Sequence, residues 1–422
     1  MTSLHLLSLD FAAHGAPPFS EIAGELLGLL ETGGESGAVD ALDCALKHAA
    51  AHGATDVHLE PWEDCSALRF RIDGILHDVA QLPRAHHPRL AARVKILARM
   101  VTYQRDLPQD GRIDPEQGGG KAIRVSTFPT VNGERVVLRM MEGADALMQV
   151  RSLGFDDSIA ERLGNLIRRP QGTLLLTGPS SSGKTTTIYA LLRDLLDNRV
   201  PAPHVVTIED PVERRLPGMA QTEIAPHQGF TFEAALRSLL RQDPEVIMVG
   251  EIRDADTART AIQAGLTGHL VVSTIHSGSA AGVFTRLLDM GVEPYLAASS
   301  VSGVLAQRLV RRVCEKCAAP YTPDPLLLRT YGMNDFEGSF LRGAGCAACH
   351  GIGFHGRTAI GELLCPGESF SELVLKQSRT SVLQELAERE GMRTLLHWGA
   401  QYVREGKTTV EELQRVLPPV VS

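Results

Sequence analysis

Apolar residues recur at helical spacing from Val39 to His52, where Gly53 ends the run. Asp56-Val-His-Leu-Glu-Pro61 follows with strand-like alternation. Leu68-Arg-Phe-Arg-Ile72 alternates again and meets Asp73-Gly74, a hairpin signal. Pro88 to Met100 predicts an amphipathic helix. Ile123–Phe128 and Glu134–Met140 predict two strands joined across Asn132-Gly133. These elements predict a compact α+β domain over 37–142 and a linker over 143–153. Residues 1–36 are weakly patterned and read as a short N-terminal extension.

The pattern then changes. Gly172-Thr-Leu-Leu-Leu-Thr177 is a continuous apolar run that enters a Gly/Ser loop and a helix. Val205–Ile208, Val246–Val249 and Leu270–Thr274 are further short β-rich runs, separated by helical stretches such as Phe232–Arg241 and Ala255–Ala264. Buried strands alternating with helices predict a parallel sheet covered on both faces. The expected fold is an α/β domain over 154–422 behind a smaller α+β domain. Residues 310–356 are rich in Cys, Gly and Pro and predict a small metal-stapled insert. Helices are expected over 369–416, before Pro418-Pro419.

Composition narrows the function classes. At about 150 residues per domain, 422 residues predict two or three domains. Hydrophobic residues at 43% and charged residues at 22% exclude wholesale disorder and a multispanning membrane protein. A net charge of −8 argues against a uniformly basic nucleic-acid coat, so no direct nucleic-acid partner is expected. No run approaches the roughly 18 apolar residues of a membrane span. The N-terminus lacks the basic region of a signal peptide. The expectation is a cytoplasmic protein that reaches a membrane through partners.

Gly178-Pro-Ser-Ser-Ser-Gly183-Lys184-Thr185 fits G-x-x-x-x-G-K-[ST]. Backbone N–H groups must wrap the phosphates there, Lys184 neutralises β/γ-phosphate charge, and the Thr185 hydroxyl ligates Mg²⁺. The candidate nucleotide-binding set is therefore Gly178, Pro179, Ser180, Ser181, Ser182, Gly183, Lys184, Thr185 and Thr186. The bland alternative is a chance Gly-rich turn, but the match lies between an apolar strand and a helix, as the motif requires.

Such a loop needs a carboxylate at a neighbouring strand end. Glu251 stands just past the run Val246–Val249; Gly250 occupies the position where an Asp commonly ligates Mg²⁺, which leaves Glu251 to polarise water. Glu209, Asp210 and Glu213 form a second cluster at a strand end. A solvated acid cluster is the rival reading for these three. His269 and His276 bracket one strand. Seven residues at about 3.3 Å span more than 20 Å, so the two cannot chelate one metal. Either one can instead serve a phosphate or a neighbouring strand.

Four of seven cysteines form two C-x-x-C pairs, Cys314/Cys317 and Cys346/Cys349, separated by 28 residues. Two such knuckles complete a tetrahedral Zn²⁺ site with no open position, so the expected role is structural. A redox pair is the main rival. Cys44, Cys65 and Cys365 have no partner pattern and read as small core residues.

Taken together, GPSSSGKTTTIY, TIEDPVE, LRQDPEVIMVGEIRD and GLTGHLVVSTIH resemble the Walker A, Asp, Walker B and His boxes of the secretion-ATPase superfamily, which powers type II secretion and type IV pili. ATDVHLEP, LRFRIDGIL, LPQDGRI and RVSTFPTVNGERVVLR extend the resemblance into the first half. It implies a PAS-like domain followed by a RecA-like P-loop ATPase domain, a homo-hexameric ring, and ATP, Mg²⁺ and Zn²⁺ as ligands. Arg112 and Arg124 match family arginines that reach the γ-phosphate; with Glu251, Lys184 and Glu209 they make up the implied catalytic set. The tetracysteine element implies an assembly-type ATPase, since retraction ATPases lack it. Implied partners are an inner-membrane secretion platform protein and a bitopic cytoplasmic docking protein, with the ATPase peripheral at the inner membrane. Type II secretion leads, type IV pilus assembly is the alternative, and an ATP-switched nucleic-acid module or a non-hydrolysing ring component are the remaining rivals. Ser181 departs from the family, whose loop has Gly there. If that position needs a positive φ, Ser181 costs about 1–2 kcal/mol.

Overall fold

The computed structural model describes residues 17–34, 36–115, 122–141, 149–334 and 338–419. The chain divides into two compact units, 1–145 with the loop 345–355, and 146–344 with 356–422. The expected linker over 143–153 lies in part outside the described residues; its far end is a turn of 3₁₀ helix at Val150–Leu153.

The first unit holds helices α1 (Phe19–Thr32), α2 (Gly37–Ala51) and α3 (His87–Leu97) and strands β1 (Asp56–Pro61), β2 (Cys65–Ile72), β3 (Ile75–Pro83), β4 (Gln109–Ile113), β5 (Ile123–Thr130) and β6 (Gly133–Met140). The sheet order is β3-β2-β1-β6-β5-β4 and each pair is antiparallel. Asp73 at φ 48 and Gly74 at φ 82 form the tight turn of the predicted hairpin. Along β5 the alternation is plain: Ile123, Val125 and Thr127 are buried, while Arg124, Ser126 and Phe128 face out. The N-terminal segment is more than an extension. Ile22, Leu26 and Leu30 of α1 recur at fours along one helix face and join the same core as Leu42, Leu46, Phe70 and Leu138. Inside this unit Lys95 is fully buried and forms an ion pair with Glu134.

The second unit is built on a seven-stranded sheet: β7 (Gly172–Thr177), β8 (Val205–Glu209), β9 (Met219–Glu223), β10 (Val246–Ile252), β11 (Leu270–Ile275), β12 (Val301–Val313) and β15 (Phe354–Leu364), in the order β15-β12-β7-β11-β10-β8-β9. From β12 to β9 every neighbouring pair is parallel. β13 (Ala318–Tyr321) and β14 (Phe340–Gly343) form a separate antiparallel ribbon. All residues of β7, β8 and β11 are buried, as continuous apolar strands between two helical layers must be. The covering helices include α4 (Asp157–Ile167), α5 (Lys184–Asn198), α6 (Phe232–Leu239), α7 (Ala255–Leu266), α8 (Ala280–Asp289) and α9 (Pro294–Ser300). After α10 (Pro325–Thr330) come α11 (Glu368–Leu375), α12 (Thr380–Arg389), α13 (Leu395–Arg404) and α14 (Val410–Val416). Side chains satisfy the helix starts: Asp156 accepts from Ser158 N at 2.9 Å and Asp254 from Thr257 N at 2.8 Å. Among the described residues, no helix is long and apolar enough to cross a membrane.

Candidate active site

The C-terminal ends of β7, β8, β10 and β11 meet along one edge of the parallel sheet, where open α/β sheets bind ligands. β7 ends at Thr177, the loop runs from Gly178 to Gly183, and α5 begins at Lys184. Gly178 at φ 148 and Gly183 at φ 86 occupy the positive region. A Cβ on Gly178 would lie 2.5 Å from the Gln307 carbonyl oxygen, so only glycine fits that close approach. No side chain caps the start of α5, and its first N–H groups remain available to an anion. Lys184 Nζ donates to the carbonyls of Gly178 at 2.8 Å and Pro179 at 2.9 Å, which holds the ammonium at the loop mouth. Burial pushes its pKa down from the usual lysine range, and the Arg308 charge adds to that, while the Glu251 carboxylate opposes it. Thr185 is half-buried and Thr186 exposed on the first turn of α5, and Ser180 is exposed while Ser182 is buried. Ser181 stands at φ 61, in the left-handed region that favours glycine.

Glu251 sits at an irregularity in the β10–β11 ladder, between Val249 and Ile252. His276 Nε2 lies 2.7 Å from its Oε1, and Arg253 Nε donates to its Oε2 at 2.7 Å. Arg253 Nη1 also reaches Asp210 Oδ2 at 3.4 Å. Residues 66 positions apart at most, from three separate motifs, thus converge on one carboxylate cluster. The β10 backbone is pinned from β11: Thr274 Oγ1 donates to Gly250 O at 2.8 Å and Ser273 Oγ to Val249 O at 2.6 Å. A Cβ on Gly250 would lie 3.2 Å from Ile208 O, a tight approach that the neighbouring strand would have to yield to by a few tenths of an ångström.

Glu209 differs from Glu251. It is buried at the end of β8 and accepts from the Tyr189 hydroxyl, from Thr207 Oγ1 at 2.5 Å and from Gln221 Nε2 at 3.1 Å. Burial, with the Glu209 charge beside it, raises the Tyr189 phenol well above the ordinary range. Glu213 follows in the adjoining loop and adds to the negative field at Tyr189. The two histidines part as the strand length requires. His276 stands at the Glu251 end of β11, while His269 stands at the opposite end, its Nδ1 3.2 Å from Ala264 O.

In the first unit, one row crosses the sheet. Arg112 of β4 faces Arg124 of β5, Arg124 faces Arg139 of β6, and Arg139 faces Asp56 of β1. Asp56 pairs with Arg139 at 3.0 Å and with Arg71 at 3.8 Å. Arg112 and Arg124 are exposed like charges directly opposite each other, an arrangement that repels unless an anion lies on it.

The Sγ atoms of Cys314, Cys317, Cys346 and Cys349 lie within 4.8 Å of one another. Four thiolates at about 2.3 Å from a tetrahedral Zn²⁺ stand about 3.8 Å apart, and the Cys346–Cys349 separation is 3.7 Å. The backbone N–H groups of Cys346 and Gly353 each point at Cys349 Sγ at 3.2 Å, the donors a bound thiolate wants. The donor set fits zinc.

Comparison with known proteins places this geometry. The family model described as "Type II/IV secretion system protein" matches residues 32–415. The chain belongs to that family. The type II secretion system protein HxcR of Pseudomonas aeruginosa is 42% identical over 393 residues, 93% of this chain and 80% of that protein. The type II secretion system ATPase E of Vibrio cholerae is 40% identical, covering 92% of this chain and 77% of its own length. The type IV pilus assembly ATPase PilB of Thermus thermophilus is 40% identical over 90% of this chain, which spans 43% of that protein. Among solved structures, the Legionella pneumophila ATPase DotB matches at a TM-score of 0.65 and 19% identity over 89% of this chain and 94% of its own. The pilus retraction motor PilT with bound ADP matches at 0.60 and 24%, over 88% and 96%. These two likenesses speak for the fold: a RecA-like P-loop domain with a smaller α+β domain before it.

In this secretion-family chain, the fold adds residues that no motif announces. Gln307 of β12 is buried beneath the phosphate loop, where Nε2 donates to Ser182 O at 2.8 Å and Oε1 accepts from Thr187 Oγ1 at 2.9 Å. Its neighbour Arg308 is half-buried beside Gly178, and burial holds its pKa below the usual range. Tyr189 on α5 reaches back to Glu209. A polar residue within an apolar stretch was the available signal for Gln307; the sequence separation of 125 residues from Ser182 hides its partner.

Proposed function

We propose that this chain is the ATP-hydrolysing motor of a type II secretion machine. The single observation that carries the reading is that the phosphate loop with Lys184 at its mouth follows β7, while the Glu251–His276 pair stands at the same end of the adjacent strands β10 and β11. ATP phosphates would lie in the loop Gly178–Gly183, against Lys184 and the first turn of α5. Thr185 would hold Mg²⁺, which supplies charge neutralisation between the β- and γ-phosphates. Glu251 polarises the attacking water. The water oxygen bonds to the γ-phosphorus, the bond to the β–γ bridging oxygen breaks, and ADP leaves with the bridging oxygen while the water proton passes to the carboxylate or the released phosphate. Arg112 and Arg124 supply planar donors to the γ-phosphate charge. Glu209, with Asp210 and Glu213, tunes the strand end beside it. Zn²⁺ at Cys314, Cys317, Cys346 and Cys349 staples the insert and takes no part in the reaction.

The motor works as a homo-hexamer, peripheral at the cytoplasmic face of an inner membrane. Hydrolysis drives domain motion, which passes to a platform protein and a bitopic docking protein and assembles pilin-like subunits. Type IV pilus assembly is the second reading, favoured by the 40% identity to PilB. The test is steady-state phosphate release by the full chain with Mg·ATP. Turnover that vanishes in Lys184→Ala is expected; no turnover in the wild type overturns the reading and leaves a non-hydrolysing ring component. Capture of a slowly hydrolysing Glu251→Gln protein, cross-linked in its own cells, separates the machines: secretion-platform proteins support type II secretion, and pilus-platform proteins move the assignment.

A further inference from the structure

A second cluster of metal-ligating side chains lies far from the tetracysteine element in sequence. Cys44 and His48 are four residues apart on α2, so they share one helix face. Glu25 projects from α1, which packs along α2. One donor atom from each of Glu25, Cys44 and His48 lies within 4.8 Å of the others. Glu25 Oε2 is 2.9 Å from His48 Nε2. Cys44 and His48 are buried, while the Glu25 side chain is 55% exposed, which leaves an entry path for an ion.

We propose that Glu25, Cys44 and His48 form a Zn²⁺ site that clips α1 to α2. The donor chemistry selects the metal. Thiolate, imidazole and carboxylate together suit a borderline ion such as zinc, whereas Mg²⁺ and Ca²⁺ demand oxygen shells. The dimensions fit as well. Ligands at about 2.0–2.3 Å from a tetrahedral ion stand about 3.3–3.8 Å apart. Rotation of the exposed Glu25 side chain opens its 2.9 Å contact by the few tenths required. Three protein ligands leave a fourth position for water. On binding, the Cys44 S–H proton goes to solvent, the thiolate takes the metal, and His48 binds through its neutral Nε2. The rest of this helix pair is sealed by small and apolar side chains such as Leu26, Leu30, Ala41 and Ala45. The Cys44 thiol also hydrogen-bonds the Glu25 carboxylate, so each pair has a contact of its own; what points to a metal is the convergence of one thiol, one imidazole and one carboxylate within 4.8 Å of one another.

The experiment is a zinc titration of the purified full chain against a chromophoric chelator, repeated with Co²⁺ as a spectroscopic probe. Wild type is expected to bind two equivalents, the second with a melting temperature that rises with zinc. His48→Gln and Glu25→Gln should each weaken the second equivalent at least tenfold, and Cys44→Ser should remove the thiolate-to-cobalt absorption that accompanies it. Glu25→Gln alters an exposed side chain and keeps the test open if the buried variants fail to fold. A wild type that binds one equivalent in excess zinc overturns the proposal. So does a second equivalent that Glu25→Gln binds as tightly as wild type.

Discussion

His276 Nε2 lies 2.7 Å from one oxygen of Glu251, and Arg253 Nε lies 2.7 Å from the other. The carboxylate is thereby oriented from two sides, by the end of its own strand and by the end of the next. If Glu251 polarises water, Glu251→Gln should lower kcat by about 10²-fold or more while ATP binding persists. His276→Ala should lower kcat less, about tenfold, because an orienting hydrogen bond is lost and the base remains. Phosphate-release kinetics beside a fluorescent-nucleotide binding assay separate the two effects. Equal kcat in Glu251→Gln and wild type would remove the assigned role.

Ser181 stands at φ 61, in the left-handed region that favours glycine. A left-handed conformation costs an L-residue about 1–2 kcal/mol, and glycine recovers most of this minus its own chain entropy. Ser181→Gly should therefore stabilise the protein by about 0.5–1 kcal/mol in urea unfolding. Ser181→Val should destabilise it, since a β-branched residue tolerates positive φ worst.

Gly250 carries the opposite expectation. A Cβ there meets Ile208 O at 3.2 Å and Glu209 Cα at 3.4 Å, both backbone atoms of the neighbouring strand. Gly250→Asp, which restores the common acidic pair before Glu251, should cost about 1–3 kcal/mol through overpacking. Turnover should fall, not rise. A variant that melts with wild type and hydrolyses faster would show that the strand ends have room.

Glu412 on α14 is fully buried and takes five hydrogen bonds, from Arg311 N, Nε and Nη2 and from Arg415 Nε and Nη2, at 2.6–3.0 Å. Burial pushes its pKa up, but the bonds from Arg415 and Arg311 outweigh that and hold it below the ordinary carboxylate range. A depressed folded pKa means stabilisation that is fully present above the unfolded value of about 4.3 and is lost as pH falls through the folded value. Glu412→Gln should cost about 3 kcal/mol near neutrality, the low end for a buried pair because Arg415 is partly in water. Urea unfolding of both proteins at pH 7 and at pH 3.5 should show the difference shrinking in acid.

Local patterns carried the reading where an element's partners are generic. β7, β8 and β11 are buried on both faces, so a run of apolar residues sufficed. The hairpin at Asp73-Gly74 was legible because two residues must take positive φ. β4, α1 and β12 escaped. β4 is an edge strand whose one buried side chain is Ile113. α1 draws its burial from α2 and the first sheet, contacts that a weak local pattern does not advertise. β12 runs through Gln307 and Arg311, polar residues satisfied by Ser182, Thr187 and Glu412 from distant segments.

The site divides the same way. Contiguous chain determined the phosphate loop, because wrapping an anion with backbone N–H groups needs neighbouring residues in one short turn. It determined the two C-x-x-C knuckles for the same reason. Their meeting, the Glu251–His276–Arg253 contact and the row Arg112–Arg124–Arg139 were decided only by tertiary structure. Each depends on which strands neighbour which and in what register, and register is set by the summed burial of whole faces, not by any residue in the motif.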